Sequence, residues 1–515
     1  MQSSETPPAP RETNPAPPLT APASAPVSAM VRFTLTPAAA TAVAENPALD
    51  APASPLRGRN LTETWYDTPS LTLLRHGFAL SITRARRGHT QTLRQGDALV
   101  TAAIPEAIPV ATAFGPGWDE PLADLLQGEN FSPAFSTQIK RLTRRAGPVE
   151  LHFETGFIQT STEKFPLREL ELRGPPAECY ALALALAEKH GLTLQPASLV
   201  QRGIWASGAI RPGAVKAGPG LSGAICLDDA VVALTQSCLT QFTANWPVFA
   251  HGTEVEAVHQ MRVAMRRLRS VLGLFNRAFA APEFSTFRDG AKNIANLMGE
   301  ARNWDVFTAL LHAGPLTAFP HEPGFVAMLQ QCADYRATGY AAVRELLADP
   351  ATTCFLLRAE IFLARHGWRN GLPVEALADL TAPAQNFAAA NLARLHRKVR
   401  KSGRHLMRIG AHERHLTRIE LKKLRYAADL FGGLFEGRGK IRSYNRVAAE
   451  LQEELGLLND LTTAQELLAR LDGSTPDKAR AIGIVLGWCA HAASADDKQL
   501  AKRWKNFTET KPFTG

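Results

Sequence analysis

The chain has 515 residues, 45% of them hydrophobic, with 57 Lys and Arg against 48 Asp and Glu and a formal net charge of +9. That length allows two to four domains with sizeable cores, and that hydrophobic share excludes a largely disordered protein. The charge is uneven: residues 391–446 hold sixteen Lys and Arg but only four Asp and Glu, so the remainder is slightly acidic. Such concentration points to a polyanionic partner rather than to general solubility.

Cysteine usage and hydropathy exclude further classes. Cys179, Cys226, Cys238, Cys332, Cys354 and Cys489 are scattered without a Cys-x-x-Cys pair, which argues against a disulfide framework or a zinc site. No basic segment leading into an apolar run opens the chain, and no stretch reaches the roughly 18 apolar residues of a membrane span. The expectation is a soluble, cytoplasmic protein that does not bind membranes.

In chain order, residues 1–29 are rich in Pro, Ala, Ser and Thr without periodicity and read as a disordered tail. Residues 30–207 read as α+β, with short alternating segments at 31–36, 78–84, 149–155 and 167–173. A helix is predicted over 179–191. The Gly/Pro-rich stretch 208–225 reads as a linker. From 226 to 510 strand patterning all but disappears. Amphipathic helices are predicted around 226–246, 255–279, 284–312, 325–347, 352–369, 384–408, 413–435, 441–470 and 477–507.

Within this helical half one pattern occurs twice. Residues 259–275 read HQMRVAMRRLRSVLGLF and residues 415–431 read HLTRIELKKLRYAADLF. At about 100° per residue, His259, Arg262, Arg266 and Arg269 share one sector of a helix, with Met261, Met265, Leu268, Leu272 and Phe275 opposite. His415, Arg418, Lys422 and Arg425 repeat the stripe, and Leu421, Leu424 and Phe431 face away. Arg267 and Lys423 lie about 100° off the stripes. The repeat continues downstream, where NLMGEARNWDVFTALL (296–311) echoes ELQEELGLLNDLTTAQELL (450–468), with Gly299 and Gly456 in register. Two similar helical bundles are the economical interpretation.

Cations so spaced repel one another unless something anionic lies along them. Each stripe covers roughly 15 Å and presents a cation at every turn, which suits a linear ligand of repeated charge. Arg397, Lys401, Arg404 and Arg408 mark a third candidate helix. Aromatic residues are not interleaved with these cations, which tilts the choice from single-stranded nucleic acid toward a phosphate chain without bases. For His259 and His415 three roles stay open: hydrogen bonding to phosphate, orienting an arginine, or packing inside a bundle. Metal ligation is disfavoured because their neighbours are cationic. Asn459 and Asp460 read as fixing a helix–helix contact or turn. Gly439-Lys440 lacks the spacing of a phosphate-binding loop.

The repeated His-x-x-Arg pattern, together with LGLLND (455–460), resembles the CHAD family of all-helical domains that bind inorganic polyphosphate. The resemblance implies a pair of four-helix bundles. It also implies ligand contacts at His259, Arg262, Arg266, Arg269, His415, Arg418, Lys422 and Arg425. Asn303 departs from the Asp usual in the family's first repeat, while Asp305 remains.

YDTP (66–69), WDEPL (118–122), RELELRG (168–174) and SLVQRG (198–203) resemble, in that order, the CYTH or triphosphate tunnel family. That family is an eight-stranded antiparallel β-barrel acting on triphosphates with Mg²⁺ or Mn²⁺. The match is patchy. Aligned on Pro37, the family's Glu-x-Glu-x-Lys falls on Ser28, Met30 and Arg32, so both acids are lost. Its two strand arginines fall within Leu80-Ser81-Ile82-Thr83, and the lysine before Arg202-Gly203 is absent. Arg94 is left as a substitute for one lysine. Glu169 and Glu171 survive on one strand face as weak metal candidates, a solvated or salt-bridged face being the alternative. Carboxylates are what a hard divalent cation needs. The expectation is therefore a polyphosphate-binding protein needing no cofactor, with a degenerate sheet domain and no specific nucleic-acid partner. Mg²⁺ or Mn²⁺ enters only if that domain retains activity. The alternative is a metal-dependent triphosphatase acting on tripolyphosphate or nucleoside triphosphates. Association with polyphosphate granules stays open.

Overall fold

A computed structural model of the chain describes residues 28–46, 49, 58–85, 88–95, 98–251, 254–279, 281–494 and 497–513. The tail expected over 1–29 lies outside these up to residue 27. Contacts divide the chain into two units, Met1–Cys179 with Ala197–Arg211 and Tyr180–Pro196 with Pro212–Gly515.

The first unit contains antiparallel strands β1 (Ala29–Thr34), β2 (Arg59–Asp67), β3 (Phe78–Arg84), β4 (His89–Gln95), β5 (Ala98–Ile104), β6 (Ser132–Ala146), β7 (Val149–Gln159) and β8 (Lys164–Gly174). They run β5-β4-β3-β2-β6-β7-β8-β1. The antiparallel sheet is the expected architecture, but β5 and β1 do not pair, so its ladder stops short of a closed ring. Cross-strand partners share a face. The register Arg32↔Glu171, Thr34↔Glu169, Glu154↔Glu169 and Arg141↔Glu154 therefore gathers these charges on one side. Val31, Phe33, Leu151, Phe153, Leu170 and Leu172 are buried on the other.

Two sequence motifs have local structural causes. In YDTP, the Asp67 carboxylate accepts from the backbone N–H of Thr68 at 2.7 Å, Leu73 at 2.9 Å and Leu74 at 3.0 Å. It thus caps the turn leaving β2. In SLVQRG, Ser198 and Gln201 form a reciprocal capping box at the start of helix Leu199–Ala206. Gly203 packs so tightly on Phe135 that a Cβ would sit 2.2 Å from its ring.

In the second unit the Gly/Pro-rich stretch is strapped to helices. Val215 exchanges two backbone hydrogen bonds with the Asn245 amide at 2.9 and 2.8 Å, and Leu221 N–H donates to Leu430 at 2.8 Å. Gly220 permits this approach, since a Cβ there would lie 2.3 Å from the Asp429 carbonyl oxygen. The principal helices are α1 (Leu227–His251), α2 (Glu254–Phe279), α3 (Pro282–Leu297), α4 (Gly299–Ala313), α5 (Gly324–Ala348), α6 (Pro350–Ala364), α7 (Ala384–Ser402), α8 (Ala411–Phe431), α9 (Arg438–Leu468), α10 (Pro476–Ser494) and α11 (Asp497–Glu509). The predicted single helix over 284–312 is two, with Met298 between them. The largest core draws Met261, Leu268 and Phe275 from α2 together with Leu421, Leu424 and Phe431 from α8. A second core joins Trp304 and Phe307 of α4 to Leu461 and Leu468 of α9 and Val485 of α10. Side chains from both sequence repeats thus share each core. Among the described residues no helix is long and apolar enough to cross a membrane.

Candidate functional site

Helices α2 and α8 exist because their apolar stripes are buried. Met261, Met265 and Phe275 are 0% exposed on α2, as are Leu421, Leu424 and Phe431 on α8. That burial leaves the cationic stripes on the remaining face. All eight stripe residues, His259, Arg262, Arg266, Arg269, His415, Arg418, Lys422 and Arg425, line one cavity of about 1190 Å³. Among the described residues thirteen Lys and Arg line it, against four Asp and Glu.

These cations are poorly compensated. Arg262, Arg266, Arg269 and Lys422 take part in no hydrogen bond or ion pair through their side-chain nitrogens among the described residues. The Nε atoms of Arg262, Arg269 and Arg418 are buried without a hydrogen-bond partner. Arg418 has its nearest carboxylate, Asp460, at 3.9 Å. Burial, then the charges of Arg266 and Arg302, brings Arg262 down to about 10, with only Tyr426 pulling the other way. Burial and Arg266 likewise lower Arg269. Lys422 is brought down to about 6 by burial and by Arg266 and Arg418, with Asp460 opposing. Burial and Arg302 lower His259. Unsatisfied buried donors and like charges both cost free energy in the absence of an anion.

Arg267 lies off the stripe, as expected: it is buried and donates to Gln241 at 2.8 Å. Lys423 does line the cavity, but it is tied to Glu420 at 2.8 Å. Asp460 lines the cavity as well and approaches Arg418 of α8 to 3.9 Å; the Asn459 side chain lies outside the described residues. Asn303, in the register of Asp460 one repeat earlier, also lines it. Asp305 is buried and accepts from Arg336 at 2.6 Å and Tyr340 at 2.8 Å.

The third predicted stripe is displaced. Arg397, Lys401 and Arg404 are exposed and do not line the cavity; Arg394 and Lys398 of the same helix do. Leu392, Leu395, His396 and Val399 anchor α7 in the core. At about 100° per residue that anchoring turns 394/398 toward the cavity; the mean direction of 397/401 lies some 60° away, and Lys401 is nearly two turns beyond Arg394. Arg404 lies beyond the helix end at Ser402. Sequence reasoning also missed Arg277, Arg288, Lys292 and Arg302. The i, i+4 pair Arg288/Lys292 was a usable signal, whereas Arg302 carries none, being an isolated cation.

In the first unit the charged sheet face is internally neutralised. Arg32 pairs with Glu171 and lies 3.5 Å from Glu169. Glu169 accepts from Arg202 at 2.8 Å, Glu171 from Arg173 at 2.6 Å, and Glu154 from Arg141 at 2.7 Å. Burial pushes Glu63 and Glu169 up, against the pull of Arg94 and Arg202 respectively. Burial acts the same way on Glu171, but His152, Arg32 and Arg173 outweigh it and hold that carboxyl well below its usual range. Magnesium or manganese would have to displace guanidiniums already bonded to Glu169 and Glu171, so these residues do not fit a hard divalent cation. Of the two alternatives for this strand face, it is the salt-bridged one.

The family model for the CHAD domain matches residues 233–469. The crystal structure of the CHAD domain from the plant Ricinus communis is similar at 27% identity and a TM-score of 0.48, covering 59% of this chain and 97% of that one. A putative adenylate cyclase from Bacillus halodurans matches at 13% identity and a TM-score of 0.27, covering 34% and 97%. A putative adenylyl cyclase from Hippeastrum, described as having a dominant triphosphatase activity, matches at 13% and 0.24, covering 36% and 97%. No curated protein matches the chain.

Proposed function

We propose that the protein binds inorganic polyphosphate in the cavity lined by the two His-Arg helices, both of which carry their stripes within the residues, 233–469, that match the CHAD domain family model. The observation that carries the reading is the imbalance of thirteen Lys and Arg over four acids among the described residues lining the cavity, with Arg262, Arg266, Arg269 and Lys422 in no ion pair. Arginine forks match paired phosphate oxygens. Among the described residues the Phe, Tyr and Trp side chains lining the cavity are Tyr426 and the buried Phe307. Nucleic-acid bases would therefore find little to stack on, which favours a chain of phosphates alone. Binding needs no metal or cofactor. On this reading the protein works in the cytoplasm, in or beside deposits of its ligand, and the ion-paired sheet unit is noncatalytic.

Fluorescence anisotropy with long-chain polyphosphate at about 150 mM salt tests the reading. Saturable binding that weakens as salt rises is expected, because part of the affinity is counterion release. Titrations with DNA and tripolyphosphate run in parallel separate a phosphate-chain site from general anion attraction. No binding of long-chain polyphosphate overturns the reading. The competing one, a metal-dependent triphosphatase in the sheet unit, draws on the carboxylates gathered on one face. Phosphate release that requires Mn²⁺ or Mg²⁺ and disappears in Glu169→Ala would establish it.

A further inference from the structure

We propose that a polyanion occupying the cavity drives uptake of a proton at Lys422, so that binding and protonation are coupled. The inference rests on the polyanion-binding reading and names the group through which pH would regulate that site.

Lys422 lines the cavity from α8, where Arg266, Arg418 and Arg262 are the like charges that act on it. The same cavity is lined from α2 by His259, Arg262 and Arg266, from α4 by Arg302, and from α7 by Arg394 and Lys398. Its own helix contributes Arg418, Arg425 and Tyr426, and also Glu420, which is already bound to Lys398 at 3.1 Å and Lys423 at 2.8 Å. From α9 come Asp460 and Glu466. Asp460 is the carboxylate that acts on Lys422, and it is shared with Arg418. Arginine keeps its proton at any physiological pH, whereas a buried lysine among cations readily gives one up. In the ligand-free cavity Lys422 is thus the group that relieves the repulsion, and its fall to about 6 leaves it largely neutral at pH 8. A run of phosphates reverses the sign of the surroundings and favours the ammonium form. The amine takes its proton from solvent and donates hydrogen bonds to phosphate oxygens. His259, lowered by burial and Arg302, takes up a smaller share at lower pH.

Isothermal titration of the full chain with long-chain polyphosphate, at about pH 8 in two buffers of different ionisation enthalpy, counts the protons. The wild type should take up close to one proton per site. Affinity should rise by up to about tenfold per unit as pH falls from about 9 to about 7, and flatten near 6. Lys422→Arg keeps the charge but has no proton to gain, so its proton count and pH slope should both drop. Titration of the ligand's terminal phosphates is common to both proteins and cancels. Binding with the same proton count and slope in both proteins overturns the inference while leaving the polyphosphate reading intact. Absence of binding to the wild type overturns both.

Discussion

The two units hold dense charge in opposite ways. On the sheet face of the first, Glu154, Glu169 and Glu171 each meet an arginine within 3 Å. In the cavity of the second, guanidiniums face one another, and Arg262, Arg266 and Arg269 take part in no ion pair among the described residues. The number of cations is therefore a poor guide to a ligand site; the number left uncompensated is the better one. A paired set is part of the folded structure. An unpaired set is held in place by the apolar faces of α2 and α8, and the repulsion that remains once Lys422 has given up its proton is relieved by an anion from outside.

The largest test of this contrast is Arg32→Ala. Its side chain is buried against two carboxylates. Its loss leaves Glu169 and Glu171 partly uncompensated, which should cost about 3 kcal/mol of stability in a urea melt of the first unit. Polyphosphate affinity should stay within about twofold, because Arg32 shares no ion-pair partner with the cavity residues among the described residues. A large loss of affinity in this variant would dissolve the distinction drawn between the two units.

Arg262→Ala with Arg418→Ala tests the opposite half. These guanidiniums have no protein hydrogen-bond partner to lose, so folding stability should hold or rise as like-charge repulsion is relieved. Charge-assisted hydrogen bonds contribute about 1.5–3 kcal/mol each, so polyphosphate affinity should fall on the order of a hundredfold or more by anisotropy. Retained affinity would move the site elsewhere.

A smaller effect distinguishes the units by pH. Lys422 has an ordinary value of 10.5 and a folded value of about 6. Between the two the unfolded chain binds more protons than the folded one, so this group's contribution to ligand-free stability falls as pH falls through that window. Lys422→Met removes the penalty. The gain in Tm of this variant over the wild type should widen from about pH 9 down to about pH 6 and then level off. A constant difference across that range would mean that Lys422 is not under cationic pressure.

Much of this was legible in the sequence, for identifiable reasons. The stripes of α2 and α8 are fixed by helical periodicity, and a helix with one apolar side has only one way to bury it. The pairing of Glu169 and Glu171 with arginines was half legible: alternation put both acids and Arg173 on one strand face, but Arg32 and Arg202 reach them through strand register and a returning helix. Arg302 was not legible at all, since only the packing of α4 brings it to the cavity. The break at Met298 escaped because the helical pattern continues through it in the sequence.

The smallest effect concerns the residues that composition favoured and geometry did not. Arg397 and Lys401 belong to the most basic stretch of the chain, yet both are exposed and outside the cavity lining. Exposed cations act on a polyanion through screened, long-range attraction alone. Arg397→Ala with Lys401→Ala should therefore lower polyphosphate affinity by no more than about threefold at about 150 mM salt, with the loss growing at low salt. Arg394→Ala with Lys398→Ala, one turn of the same helix away but lining the cavity, should cost several times more at either salt. Equal losses from the two pairs at about 150 mM salt would show that the ligand responds to overall charge on α7 rather than to the cavity, and the orientation of that helix would then carry no functional meaning.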